Sequence, residues 1–480
     1  MQNTKDISLD IFTHSDISQN PKNDFFPVDN PVNGEILAYV KKTSKDTLEQ
    51  IIQKAQIAQK QWQNTLAEER SDKLYKMSHL MLENQEFLAN LMTKEQGKPL
   101  AESRGEIAYA ASFLKWFAFE ARRVDGDILQ SKNLKQKLLV LKQPIGVCAA
   151  ITPWNFPSAM ITRKIAPALA CGCAMIVKSA SATPLSAYAL EILAQKAGIP
   201  DGLFRVVNGD SNEISNVLCQ DERIKKLSFT GSTQVGIELY QKCASSIKKL
   251  SLELGGNAPL IVFDDANLSK AIEGIMLSKF RNSGQTCVCA NRIYVQRGIY
   301  EKLCEKLCEA ITSLKVGDGL QEGINQGPLI NQKAVLKVQE HIEDALNQGA
   351  KLLSGGKKHS LGGNFFEPTL LGNVTQNMLV AKEETFGPLA PIFVFDEEEE
   401  VIQKANDTEF GLASYFFTED YARQWRVSEA LEYGMVGVNT GLISNEVAPF
   451  GGVKLSGLGR EGSKYGISEY LELKYLCLNL

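Results

Sequence analysis

Cys287 has the surroundings most suited to chemistry. It lies in Phe280-Arg281-Asn282-Ser283-Gly284-Gln285-Thr286-Cys287-Val288-Cys289, where small and amide residues follow a helical pattern. A nucleophilic thiol needs a partly exposed loop with donors nearby to favour the thiolate. Without such a setting a cysteine is ordinarily a small packed residue. Cys289, two positions on, is either packed in that way or a resolving thiol that traps an oxidised Cys287 as a reversible disulfide, provided the narrow Cα and Cβ spacing is met. A second segment, Leu250-Ser251-Leu252-Glu253-Leu254-Gly255-Gly256-Asn257, ends a strand with a carboxylate. Glu253 therefore emerges at a strand's carboxyl end, where open α/β sheets bind ligands and a general base is useful. A third, Ile151-Thr152-Pro153-Trp154-Asn155-Phe156-Pro157, holds the Asn155 amide between aromatic rings and prolines. Such an amide is either a turn residue or a donor to an oxyanion.

Two further segments suit a dinucleotide. Phe229-Thr230-Gly231-Ser232-Thr233-Gln234-Val235-Gly236 follows a strand and opens a helix. Gly231 lets backbone approach a pyrophosphate, and Ser232 can donate to it near the helix N-terminus. Lys178-Ser179-Ala180-Ser181 follows the strand pattern at 175–177, placing Lys178 where an adenosine ribose would lie. By contrast, Gly457-Leu458-Gly459-Arg460-Glu461-Gly462 satisfies G-x-G-x-x-G, yet no clear strand precedes it and the chain ends 18 residues later. It is rejected as a nucleotide fingerprint because no βαβ unit surrounds it.

The elements that must position these residues alternate. A helix over 45–62 follows the N-cap candidate Ser44, with Leu48, Ile51, Ile52, Ala55 and Ala58 on one face. Strands over 138–141, 147–151, 175–177, 204–207 and 227–229 are interleaved with helices over 185–197 and 233–244. That alternation predicts a doubly wound parallel sheet. A second alternating set begins after 250–254 and 259–263 and runs through 292–295, 351–353, 392–395, 414–417 and 436–439. The acidic run Glu397 to Glu400 precedes a helical pattern, where negative charge complements the helix N-terminus. Strand-like stretches at 126–141 and 469–478 have no companion helices, a habit of subunit-contact strands.

Composition narrows the function classes. At 480 residues the chain exceeds one hydrophobic core, and 44% hydrophobic with 22% charged residues reads as soluble and globular. The net charge of −4, from 52 basic and 56 acidic residues, argues against a nucleic-acid or anionic-membrane surface and for a small-molecule partner. The first 24 residues show no apolar leader, and the uncharged stretch 143–162 is broken by Pro144, Pro153, Pro157 and Asn155. Ten cysteines without C-x-x-C spacing, and with no histidine near the close pairs, predict free thiols and no metal.

The set I-T-P-W-N-F-P, K-S-A-S, F-T-G-S-T, L-E-L-G-G, G-Q-T-C and E-E-T-F-G-P, in this order between Ile151 and Pro388, resembles the aldehyde dehydrogenase superfamily. The resemblance implies Cys287 as nucleophile, Glu253 as general base and Asn155 as oxyanion donor. It implies that Trp154, Asn155, Lys178, Ser179, Ala180, Ser181, Gly231, Ser232, Leu254 and Glu384 bind NAD(P), with Glu384 at the nicotinamide ribose. Implied too are two Rossmann-like doubly wound parallel-sheet domains and a small β oligomerisation arm: a cofactor-binding domain at 1–125 and 142–250, a catalytic domain at 251–445, and arm strands at 126–141 and 465–480. The segments from Phe280 and Gly441 and the run Met160-Ile161-Thr162-Arg163-Lys164 are similar to the subfamily acting on succinate semialdehyde, in which Arg163, Arg281 and Ser444 would hold the substrate's distal carboxylate. Ser179 departs from the usual K-P-A-S and leaves that loop's geometry open. Ser181 stands where many NAD-using relatives carry a glutamate, so NADP is expected ahead of NAD. A cytoplasmic dimer or tetramer is expected. The alternatives are a glutarate-semialdehyde enzyme, a CoA-acylating aldehyde dehydrogenase, a non-redox thiol hydrolase and a non-catalytic relative.

Overall fold

A computed structural model describes residues 10–20 and 23–480. Residues 1–9 and 21–22, part of the stretch read for a leader and of the expected cofactor-binding domain, lie outside the described residues.

The helix Lys45–Trp62 starts as its cap predicts, with the Ser44 hydroxyl accepting from the Thr47 N–H at 3.2 Å. It buries Leu48, Ile52, Ala55 and Ala58 along one stripe. Three more helices, Ala67–Glu83, Gln85–Gln96 and Leu100–Glu120, continue this block. The acidic run becomes the start of the helix Glu398–Asn406, where Glu397 and Glu400 form a reciprocal capping box.

Two parallel sheets organise the rest. The first has six strands in the order Gly457–Leu458, Lys249–Glu253, Ile224–Thr230, Val147–Ile151, Ala174–Lys178, Phe204–Val207, parallel except at the Gly457–Leu458 edge. The chain winds outward from Val147–Ile151 in one direction and then resumes beside it with Ile224–Thr230. A crevice opens at the carboxyl ends of these two strands, as at any such reversal. The second sheet has seven strands in the order Lys351–Ser354, Thr369–Gly372, Leu389–Phe395, Ala290–Gln296, Ala258–Val262, Ala413–Phe417, Met435–Val438, all parallel but the first. Its strands are apolar on both faces: Leu260 and Val262 enter one core cluster, and Ile261 enters another.

Three expectations need correction. The catalytic domain expected from 251 onward takes in most of a strand at 250–254, but Lys249–Glu253 pairs in parallel with Ile224–Thr230 and belongs to the first sheet. A boundary at 250/251 therefore cuts a strand, and the chain crosses only after it. The boundary at 141/142 cuts Gln136–Pro144, which is one strand because all nine residues pair with Leu471–Asn479. The expected arm strand at 465–480 is helical as far as Tyr470, since Ile467 and Tyr470 are drawn into the first core. The arm itself is Leu471–Asn479, Gln136–Pro144 and Asp127–Leu129, antiparallel, with Ile128, Leu134 and Leu473 at least 70% exposed. A short N-terminal sheet joins Ile17–Ser18, Ile36–Lys41 and Phe25–Asp29. No helix among the described residues is long and apolar enough to cross a membrane.

Candidate active site

The crevice holds a cavity of about 240 Å³ into which Trp154, Asn155, Gly231, Ser232, Glu253, Leu254, Cys287 and Glu384 all project. Eight positions predicted from sequence are thereby brought together.

The Cys287 loop is fastened from several directions. After the helix Leu268–Lys279 the chain turns through Asn282 and Ser283, both left-handed at φ 51° and 53°. Asn282 offsets that strain with three contacts: its N–H donates to Glu102 at 2.7 Å, its Nδ2 donates to the Asn155 carbonyl at 3.1 Å, and its Oδ1 accepts from Gln96 at 3.0 Å. Gly256 lies so close that a Cβ there would sit 2.8 Å from the Cys287 carbonyl oxygen. Only glycine allows this approach.

The Asn155 loop is pinned by a buried ion pair. Lys98 Nζ reaches Glu106 Oε2 at 2.5 Å and donates to the Asn155 carbonyl at 2.6 Å. Glu106 accepts from the N–H groups of Ser158 and Ala159, where the helix Ala159–Cys171 begins. The Asn155 amide Nδ2 donates to the Gln285 carbonyl at 3.0 Å, which ties it to the nucleophile's loop and leaves its second N–H free for an oxyanion.

Burial sets the proton affinities of these groups. Burial pushes the Cys287 thiol up to about 12; Arg163 draws it down and Glu384 pushes it further up. Burial also raises the Glu253 carboxyl well above the usual range, and Glu461 raises it further. Neither Glu253 oxygen has a hydrogen-bond partner among the described residues, and a Cβ on Gly451 would meet Oε1 at 2.8 Å. Glu384 is raised by burial to about 8.

The remaining predicted residues divide. Lys178 is buried at the end of Ala174–Lys178, its Nζ donating to the Ser179 carbonyl at 2.7 Å. Burial lowers it to about 8, with Asp210 acting in the opposite direction. Ser179, in place of proline, accepts from Asn208 at 2.8 Å and so gains a tether that proline lacks. Ala180 is half-buried and Ser181 exposed, outside the cavity. Gly231 is required by packing, since a Cβ would lie 2.4 Å from the Phe229 ring. Ser232 begins the helix Thr233–Cys243 without capping it, leaving its hydroxyl exposed.

Arg163 is not free. Its guanidinium pairs with buried Glu461 at 3.1 Å and lies 3.9 Å over the Phe450 ring. Arg281 forms no ion pair among the described residues, stands 5.4 Å over the Phe156 ring, and has an unpartnered buried Nε. Tyr109, missed in the sequence, is within reach of both: burial pushes its phenol up, while Arg163, Arg281 and Ser444 draw it down. Lys98, Glu106, Asn282 and Glu461 were missed as well. Cys289 is buried and takes a hydrogen bond from Lys279 Nζ at 3.3 Å.

A nicotinamide dinucleotide suits this crevice on its own chemistry. Glu384 Oε1 is buried and unpartnered beside the cavity, as an acceptor for ribose hydroxyls requires, and the bare start of Thr233–Cys243 offers N–H groups to a pyrophosphate.

Residues 17–476 match the aldehyde dehydrogenase family model. The chain belongs to that family and is an NAD(P)-dependent aldehyde dehydrogenase. It is 60% identical to glutarate-semialdehyde dehydrogenase of Pseudomonas aeruginosa, covering 94% of this chain and 93% of that one. It is 59% identical to the succinate-semialdehyde dehydrogenase [NADP(+)] of Escherichia coli, covering 94% of each. The crystal structure of an aldehyde dehydrogenase from Brucella melitensis biovar abortus 2308 superposes with a TM-score of 0.94 at 60% identity, over 95% of this chain and 94% of that one.

Proposed function

We propose that the chain oxidises succinate semialdehyde to succinate, with NADP preferred over NAD. The observation that carries the substrate reading is Arg281, a guanidinium beside the nucleophile's loop that is in no ion pair among the described residues. Arginine's planar fork matches a carboxylate. Arg281, with Arg163, Tyr109 and Ser444 near it, supports recognition of the distal carboxylate, while the aldehyde end reaches Cys287.

The Cys287 proton passes to solvent as its sulfur bonds to the aldehyde carbon and the carbonyl electron pair moves to oxygen, giving a thiohemiacetal anion. Asn155 Nδ2 and the Cys287 backbone N–H stabilise the oxygen that gains charge, in a site closed enough to strengthen each donor. Trp154, Lys178, Ser179, Ala180, Ser181, Gly231, Ser232, Leu254 and Glu384 would hold the cofactor, which supplies a hydride acceptor. Glu253 then takes a proton from water, whose oxygen attacks the thioester carbon and releases the acid and the Cys287 thiol. Its raised proton affinity suits that task.

Neutral Ser181 supports NADP, because a glutamate there would repel a 2′-phosphate. The exposed apolar row of Ile128, Leu134 and Leu473 supports a dimer or tetramer formed through the arm. Free thiols at all ten cysteines support a reducing, cytoplasmic setting. Glutarate semialdehyde is the second reading, favoured by the 60% identity to an enzyme of that name. Initial rates of succinic semialdehyde, glutaric semialdehyde and butanal, each against NADP and NAD, decide among them. The proposal requires the highest kcat/KM for succinic semialdehyde with NADP, and it fails if butanal equals it.

A further inference from the structure

A pair of thiols far along the chain from Cys287 has no part in this chemistry. Cys219 lies at the end of the helix Ser211–Gln220 and Cys243 is the last residue of Thr233–Cys243. The two helices pack side by side, and both sulfurs are buried. Each thiol is the largest influence on the other's proton affinity, as two adjoining side chains must be. A single hydroxyl, Ser246 Oγ, stands 3.4 Å from the Cys219 carbonyl oxygen and 3.1 Å from that of Cys243. The two main chains therefore run close together at these residues.

The turn directly after Cys243 is strained. A short 3-10 turn, Ala244–Ser246, leads into Ile247, a β-branched residue in the left-handed region at φ 49° and ψ 38°. That conformation is unfavourable for isoleucine. No packing offsets it, because Ile247 is 91% exposed. Beside the turn a surface cleft of about 320 Å³ is lined by Glu222, Lys225, Ser246 and Lys248. Lys248 is anchored by donating to the Ile224 carbonyl at 2.7 Å, and its charge favours the thiolate at both cysteines. Cys243 is the residue directly before the turn, so opening of the turn reaches it first.

We propose that Cys219 and Cys243 form a redox-active dithiol that hydrogen peroxide closes to a disulfide when the 244–247 turn opens. The Cys243 thiolate attacks one peroxide oxygen, the O–O bond breaks, and protonation of the departing hydroxide gives water and a sulfenic acid. The Cys219 sulfur then attacks the Cys243 sulfur, loses its proton, and expels the sulfenic oxygen as a second water. Two thiols are oxidised by two electrons and one peroxide is reduced to two waters. A thiol reductant reverses the step by exchange. The bond would tie the far end of the helix that starts at Ser232 to its neighbour.

The test is peptide mapping of the full-length protein, as wild type and as Cys287→Ala, after peroxide treatment and alkylation of the remaining thiols. Trypsin releases Cys219 in residues 206–223 and Cys243 in residues 243–248. The expected product is these two peptides joined and two hydrogens lighter than their sum, in both proteins, and separated by dithiothreitol. Cys148 and Cys173, also in mutual contact but with their sulfurs facing Gly146 and Tyr470 carbonyls inside the fold, are expected to stay alkylatable under the same treatment. Recovery of Cys219 and Cys243 as separate alkylated peptides while Cys477 oxidises, as separate sulfinic acids, or linked to other cysteines, overturns the proposal.

Discussion

Arg281→Ala separates recognition of the substrate's tail from chemistry at its aldehyde. Of the two candidate arginines it is the informative one, since Arg163 already pairs with Glu461 and lies over the Phe450 ring, while Arg281 is in no ion pair among the described residues. Deleting Arg281 breaks no ion pair among the described residues; the Glu102 carboxyl, raised by burial and drawn down first by Lys98, loses a smaller pull of the same kind. The loss falls on the complex, where the substrate carboxylate would sit without its cation. A charge-assisted pair that loses one partner costs about 2–4 kcal/mol when dry. Arg281 is partly exposed, so water compensates in part and the lower end applies. About 2 kcal/mol is roughly a 30-fold fall in kcat/KM. Steady-state rates with succinic semialdehyde and with butanal, at saturating NADP, check it: the first is expected to fall by about that factor and the second by less than about threefold. Arg281→Lys is expected to recover part of the loss, because charge returns without the fork. An equal fall for both aldehydes would show that Arg281 supports the Cys287 loop and does not read the tail.

Glu253→Gln is expected to give a burst of reduced cofactor followed by slow turnover, seen by stopped-flow absorbance; the absence of a burst would place Glu253 before hydride transfer. The raised Glu253 carboxyl also predicts opposite pH trends. A carboxyl whose folded pKa exceeds its unfolded value contributes stability that is full below the unfolded pKa and is lost as pH rises through the folded one, while deacylation gains its ionised base over the same interval. Thermal melting and acyl-enzyme hydrolysis, each followed from acid to alkaline pH and compared with Glu253→Gln, read the two; parallel trends would refute the assignment. With its thiol raised to about 12, cofactor-free Cys287 is expected to show alkylation by iodoacetamide that keeps rising with pH beyond the ordinary thiol range, and a plateau near neutrality would contradict that. Ser181→Glu is expected to raise the KM for NADP more than that for NAD, and equal shifts would remove Ser181 from cofactor choice.

The sequence made some of this legible because the signals are local. Ser44 before an apolar stripe, Glu397 before a helix, short strands ending in Lys178 and Glu253, and Asn155 in the loop after a third strand are each read within a dozen residues. The boundary that cuts Lys249–Glu253 has the opposite cause. Nothing within Lys-Leu-Ser-Leu-Glu says which sheet it joins, and only its pairing with Ile224–Thr230 assigns it. The supporting residues were hidden for the same reason. Lys98 and Glu106 look like surface charges of helical segments until packing buries both and makes a pair obligatory. Tyr109 reads as one more apolar position on Leu100–Glu120. Glu461 lay in a glycine-rich stretch set aside as a false nucleotide motif, yet it returns across the chain to Arg163 and Lys164.

That return sets a schedule for synthesis. The edge strand Gly457–Leu458 adds to Leu252–Glu253, made 204 residues earlier (457 − 253). At about 5–20 residues per second, a ribosome takes roughly 10–40 s to cover that interval. Throughout it the nascent six-stranded sheet has an open edge, and Arg163 and Lys164 lack the carboxylate they are buried against. Glu253 waits equally long for Gly451 and its neighbours to close over it. Emerging chains therefore carry a sticky strand and two unsatisfied cations until the last thirty residues arrive, so a premature stop in that region leaves a product for chaperones and proteases in place of a slightly shortened enzyme.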